Sequence, residues 1–180
     1  MAVRMSRKIW IIVAIVVVAV GATVGIALSD SPASPPDSTL SIITWNETTL
    51  STFEGTPVVL NFWSISCPYC VQQLPDLENA ARQSEGYIEI IAVNTRDNAS
   101  RIRTFFGDYE PTMTIAVDVN GQAFRDYCLA YDNAGGYIPF TLLIDGEGIV
   151  QDKRIGAFAS EAQLWDTLND VLGITAPETS

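Results

Sequence analysis

The sequence has no histidine and only three cysteines, Cys67, Cys70 and Cys128, in 180 residues. A structural zinc site takes about four protein ligands and a catalytic one about three, drawn mainly from Cys and His. Here carboxylates would have to complete either kind, so no metal role is expected. There is no haem-attachment motif, no phosphate-cradling glycine motif and no internal repeat, and no cofactor is expected. Basic residues are scarce as well: ten against 21 acidic, a net charge of −11. Residues 1–30 hold three of the basic residues and one of the acidic ones, leaving seven and twenty, or −13, for the rest. That balance discourages nucleic acid and anionic membrane surfaces as partners of residues 31–180. Solubility is its simplest purpose.

Against these absences stands residues 58–70, V-V-L-N-F-W-S-I-S-C-P-Y-C. Apolar and β-branched residues read as a buried strand that ends on two cysteines with two residues between them. A helix opening at the first cysteine offers its sulfur free N–H groups and the positive end of the helix dipole. Both favour thiolate, the form that attacks a disulfide. Pro68 suits a helix start, where its missing N–H costs little. Cys67 therefore reads as the nucleophile, and Cys70, about one turn further, as the resolving thiol. The bland alternative is a structural disulfide, but so short a loop constrains the unfolded chain little. Cys128, alone in R-D-Y-C-L-A-Y, reads as a small buried hydrophobe; a third redox thiol or an intermolecular bridge remains open.

The chain divides into a basic N-terminus (residues 1–8), an apolar segment (9–28), a Ser/Pro/Asp-rich linker (29–38) and one domain (39–175). Residues 9–28 carry no charge and are long enough to span a bilayer as a helix. Arg4, Arg7 and Lys8 precede the span, so the domain is expected on the extracytoplasmic side of the cell membrane, as a single-pass protein. A cleaved signal peptide is the rival, although its apolar core is usually shorter. No cysteine near the segment's end speaks for a lipid anchor. Either way the domain occupies a compartment where disulfides persist.

Within the domain, a hairpin is expected over residues 40–50 and one helical turn over 51–54. Strands are expected at 58–65, 87–93, 112–117, 140–144 and 149–155. Helices are expected at 68–83, with Pro75 inside, and at 98–106 and 122–131, with a last one capped by Ser160. The alternation predicts an α/β fold: a mixed central sheet flanked by helices.

Four stretches carry a resemblance: residues 49–64 (T-L-S-T-F-E-G-T-P-V-V-L-N-F-W-S), 67–77 (C-P-Y-C-V-Q-Q-L-P-D-L), 116–124 (A-V-D-V-N-G-Q-A-F) and 137–148 (Y-I-P-F-T-L-L-I-D-G-E-G). Together they resemble the membrane-anchored TlpA/ResA-type thiol:disulfide oxidoreductases of the thioredoxin-like superfamily, over nearly all of residues 40–172. The resemblance implies a thioredoxin-like fold with an N-terminal β-hairpin. It implies a cis bond before Pro139, facing the cysteines, with the backbone of Ile138 free to pair with an extended substrate. It implies that Trp63, Pro68 and Tyr69 shape the site, and that partners are extracytoplasmic protein disulfides or dithiols and a membrane electron donor or acceptor. The departures are specific. Ser66 stands where such proteins usually place a tryptophan. Asn61 and Gln73 stand where a buried acid would relay the proton of the inner thiol. Residues 131–137 form a longer loop than is usual. The Pro-Tyr pair matches glutaredoxins, yet the TlpA-like surroundings argue against glutathione binding.

Three functions compete: dithiol–disulfide exchange, thiol-dependent peroxide reduction, and a tethered binding module without catalysis. Ile65 and Ser66 do not match the threonine and proline that peroxiredoxins set before their cysteine, and an intact Cys-x-x-Cys argues against the third. A helix-stabilised thiolate makes a disulfide more oxidising, while an acidic domain works the other way. The expected potential is intermediate, on the order of −200 to −260 mV, in the reductase or isomerase range.

Overall fold

A computed structural model of the chain describes residue 36, residues 40–42 and residues 47–177. The predicted N-terminus 1–8 and membrane segment 9–28, and all of the linker 29–38 but Pro36, lie outside the described residues, as does the turn of the predicted hairpin. Residues 33–180 form one compact unit by their internal contacts. Among the described residues no helix is long and apolar enough to cross a membrane.

The order is β1 (Leu40–Ile42), β2 (Glu47–Thr48), a 3-10 turn (Leu50–Phe53), β3 (Val58–Trp63), α1 (Pro68–Gln83), β4 (Glu89–Asn94), α2 (Ala99–Phe106), β5 (Thr114–Val117), α3 (Gln122–Ala130), β6 (Phe140–Ile144), β7 (Val150–Ile155) and α4 (Glu161–Leu172). The sheet runs β2-β1-β5-β4-β3-β6-β7. β3 pairs in parallel with β4 and antiparallel with β6, and β4 pairs in parallel with β5, so the sheet is mixed as expected. β1 and β2 pair antiparallel, Leu40 opposite Thr48.

β3 sits inside the sheet and all six of its residues are buried, which is why it reads as a continuous apolar run rather than an alternating one. Its side chains still alternate between two cores. Val59 and Trp63 join α1, α2 and α4 through Leu74, Leu77, Ile102, Leu164 and Leu168. Val58, Leu60 and Phe62 join α3 through Ala123 and Tyr127. Cys70 belongs to the first core and Cys128 to the second, so the sheet separates them. The Tyr127 hydroxyl donates to the carbonyl of Pro36 at 2.9 Å.

α1 runs from Pro68 to Gln83 with Pro75 inside it. Two buried carboxylates anchor what surrounds it. Glu78 on α1 accepts from the backbone N–H groups of Thr112 (3.0 Å) and Met113 (3.1 Å) and from the Tyr109 hydroxyl (2.9 Å), fastening the chain that leads into β5. Asp97, in the turn after β4, accepts from the Ile65 N–H at 2.9 Å and from the Asn94 amide at 3.1 Å. Its other oxygen pairs with Arg101 at 3.0 Å. The loop between β3 and α1 is thereby braced from the neighbouring strand, and Thr95 N–H adds a bond to the Trp63 carbonyl at 3.0 Å.

A buried donor stripped of its acceptor costs about 1–3 kcal/mol. Glu78→Ala, which strands two backbone N–H groups, is therefore expected to destabilise the domain by roughly 3 kcal/mol in urea unfolding, with Glu78→Gln losing less. Asp97→Ala is expected to abolish hydrogen-exchange protection at the Ile65 amide. Asp97→Asn, which keeps an acceptor oxygen, is expected to retain it. Equal loss of protection in both variants would show that the carboxylate's charge, not its hydrogen bond, holds the loop.

Candidate active site

The reactive pair sits where β3 hands over to α1. Cys67 is the N-cap of α1, with extended backbone, and Pro68 is the first helical residue. The sulfur of Cys67 accepts the Cys70 backbone N–H at 3.2 Å, one of the donors that a helix start leaves free. Its carbonyl accepts from Val71, and its own N–H donates to the Ser64 carbonyl at 3.2 Å. No acidic residue lies in the first turn of α1 to oppose a negative charge on that sulfur. Cys67 and Cys70 are joined as a disulfide, with Cα atoms 5.2 Å apart. Their environments differ: Cys67 is half-buried, whereas Cys70 is fully buried in the first core.

Opposite the pair, the Ile138–Pro139 bond is cis, and the Ile138 carbonyl oxygen lies 3.7 Å from the Cys67 sulfur. Pro139 is buried and Ile138 half-buried. Tyr69 and Tyr137 are exposed, at 69% and 65%. The structure thus brings Cys67, Cys70, Pro68, Tyr69, Ile138 and Pro139 to one place. Trp63 lies elsewhere than at the surface of the site: it is fully buried, its ring 5.7 Å from Phe105 and 6.1 Å from Phe106, and it forms part of the floor.

The two positions without the usual acid are both buried. The Asn61 amide donates to the Thr141 hydroxyl at 2.8 Å across the β3–β6 pair. Gln73 Oε1 accepts from the Phe158 N–H at 3.2 Å, tying α1 to the segment before α4. The Asn61 Oδ1 and Gln73 Nε2 atoms have no partner among the described residues. Neither amide can carry a proton as a carboxyl would. Beside Gln73 a groove of about 540 Å³ runs between Tyr69, Gln72 and Asp76 on α1 and Gly156–Ala159. Burial, with the nearby Glu161 charge, raises the Asp76 carboxyl above the usual range. Cys128 is buried, and that burial raises its thiol, against a smaller lowering by a hydrogen bond to Asn133.

Sequence reasoning missed Asp97 and Asn133. Both lie in Asx-rich turns, N-T-R-D-N and D-N-A-G-G, where Asn and Asp side chains commonly bond nearby backbone; that was the available signal.

The family model for the AhpC/TSA family matches residues 33–153. A thiol-disulfide oxidoreductase ResA from Geobacillus thermodenitrificans is 30% identical over 128 residues, covering 70% of each chain. A thioredoxin-like protein YneN from Bacillus subtilis is 28% identical over 129 residues, covering 70% of this chain and 72% of its own. Among solved structures, a thiol:disulfide interchange protein of the thioredoxin family from Chlorobium tepidum superposes with a TM-score of 0.68 over 81% of this chain and 99% of its own, at 17% identity. With a Cys-x-x-Cys disulfide at the start of α1 and a cis-proline beside it, the chain belongs to the AhpC/TSA family and is a ResA-type thiol-disulfide oxidoreductase of thioredoxin-like fold.

Proposed function

We propose that this enzyme works outside the cytoplasm as a reductant or isomerase of protein disulfides, held at the membrane by residues 9–28 and extended from it by the linker 29–38. Cys67 is its nucleophile and Cys70 its resolving thiol. The asymmetry of the pair carries the assignment: Cys67 is half-exposed and capped by an N–H, whereas Cys70 is fully buried.

The cycle follows. In the reduced enzyme the Cys67 thiolate attacks a partner disulfide. One partner sulfur joins Cys67 as a mixed disulfide and the other leaves as thiolate. Cys70 then loses its proton to water and attacks Cys67, releasing the partner's second thiolate and closing Cys67–Cys70. Two electrons pass to the partner. An extracytoplasmic dithiol or a membrane donor of electrons restores the enzyme. The Ile138 carbonyl, beside the reacting sulfur, is the backbone group best placed to meet the partner chain. Cys128 takes no part, being buried in the opposite core.

Alkylation of the reduced enzyme with iodoacetamide at neutral pH is expected to modify Cys67 first and to reach Cys70 and Cys128 only in denaturant. Labelling of Cys70 first would reverse the roles. Equilibration against glutathione is expected to give a potential on the order of −200 to −260 mV. A value near −120 mV would instead mark a disulfide donor. Turnover of hydrogen peroxide faster than of protein disulfides would favour the peroxidase reading.

A further inference from the structure

The loop between α3 and β6 is built around one side chain. Asn133 is buried, and its amide brackets the backbone of Tyr137: Nδ2 donates to the Tyr137 carbonyl at 2.8 Å, and Oδ1 accepts the Tyr137 N–H at 3.0 Å. Asn133 is itself fixed by its N–H to the Cys128 carbonyl at 2.9 Å and by the Gly136 N–H, which donates to its carbonyl at 2.8 Å. The Tyr137 ring lies directly on the α-carbon of Gly135, where a β-carbon would overlap it. At the start of the loop, Asp132 pairs with Lys153 of β7 at 2.7 Å, an exposed contact worth little alone. An exposed aromatic is ordinarily unremarked. Here a buried asparagine and a bare glycine fix the backbone and the seat of a ring that remains 65% exposed.

The ring's position gives it a use. Tyr137 directly precedes Ile138, whose carbonyl is 3.7 Å from the Cys67 sulfur, and Tyr69 follows Cys67 by two residues. Consecutive Cα atoms are about 3.8 Å apart, so the Tyr137 backbone directly adjoins the group that lies against the reacting sulfur. A chain that delivers a sulfur to Cys67 passes the Ile138 carbonyl and, with it, the residue just before. Resting on the exchange reading above, we propose that Tyr137 grips the side chain next to the partner's cysteine. The preferred substrate is then an extended protein segment with a large apolar or aromatic residue beside its disulfide. Aromatic side chains bury large area and add pairing energy beyond it. A small anionic disulfide such as oxidised glutathione has no such side chain to offer, and the acidic domain repels it.

The test uses the reduced enzyme and three disulfides: two peptide disulfides identical except for Phe or Gly beside the cysteine, and oxidised glutathione. Second-order rates from stopped flow are expected to favour the Phe peptide over the Gly peptide by about tenfold, with oxidised glutathione slowest. Tyr137→Ala is expected to compress the Phe-to-Gly ratio to about twofold, and Tyr137→Phe to keep it. Gly135→Ala, which unseats the ring without removing it, is expected to compress the ratio as well. A ratio near one in the wild-type enzyme, a ratio that survives Tyr137→Ala, or oxidised glutathione reacting fastest overturns the inference while leaving exchange intact. Inertness toward all three disulfides overturns the reductant direction itself, and this inference with it.

Discussion

The bond from the Cys70 N–H to the Cys67 sulfur is the contact on which the rest of the domain converges. It exists only if α1 begins at Pro68, if β3 delivers Cys67 to that point, and if the loop between them is held. Each condition is met by a different part of the chain. The six buried residues of β3 fix where the strand ends. Pro68 at the first helical position pre-sets the helix start. Asp97, reaching across from the turn after β4, holds the Ile65 N–H between them. The sulfur needs all three, because a helix dipole acts only over its first turn.

This arrangement separates the two thiols by burial although they belong to one turn of helix. Residue 67 caps the helix and stays at the surface, whereas residue 70 points down the same face as Leu74 and Leu77 into the core against Trp63. The proposed division into an attacking and a resolving thiol rests on that difference in burial. The sheet makes a second separation, placing Cys128 in the other core, where burial raises its thiol and keeps it protonated.

Much of this was legible in the sequence, for definite reasons. Strand β3, helix α1 and strand β6 announce themselves by an apolar run, by Cys-Pro at a helix start and by Pro139 at a strand start; the structure gives α1 as Pro68–Gln83 and β6 as Phe140–Ile144, the bounds read from sequence. The third helix was read one residue long, and the strand expected at 87–93 is Glu89–Asn94, because Tyr87 and Ile88 are apolar yet occupy the turn that enters it. Trp63, at the internal aromatic position the resemblance gave it, is fully buried in the same core as Cys70. What could not be read is the bracing by Asp97 and Asn133. Those bonds join side chains to backbone 32 residues away in one case and across a loop in the other, and no periodicity records them.

The placement of acids bears on how the site works. The domain is strongly acidic, yet its buried carboxylates act as connectors for backbone. Glu78 holds Thr112 and Met113, Asp97 holds Ile65, and Asp118 accepts from the N–H groups of Ala123 and Phe124 at the start of α3. The charge of Asp97 is matched by Arg101. The two interior positions flanking the site where a carboxyl would be expected carry amides instead, Asn61 in β3 and Gln73 on α1. A buried carboxylate at either place would add a negative charge to the same interior, and a like charge nearby disfavours a thiolate. With uncharged amides in those places the helix N-terminus acts on the sulfur without that opposition. The same amides offer no side chain at these two positions able to take a proton, so the proposed resolving step hands the Cys70 proton to water.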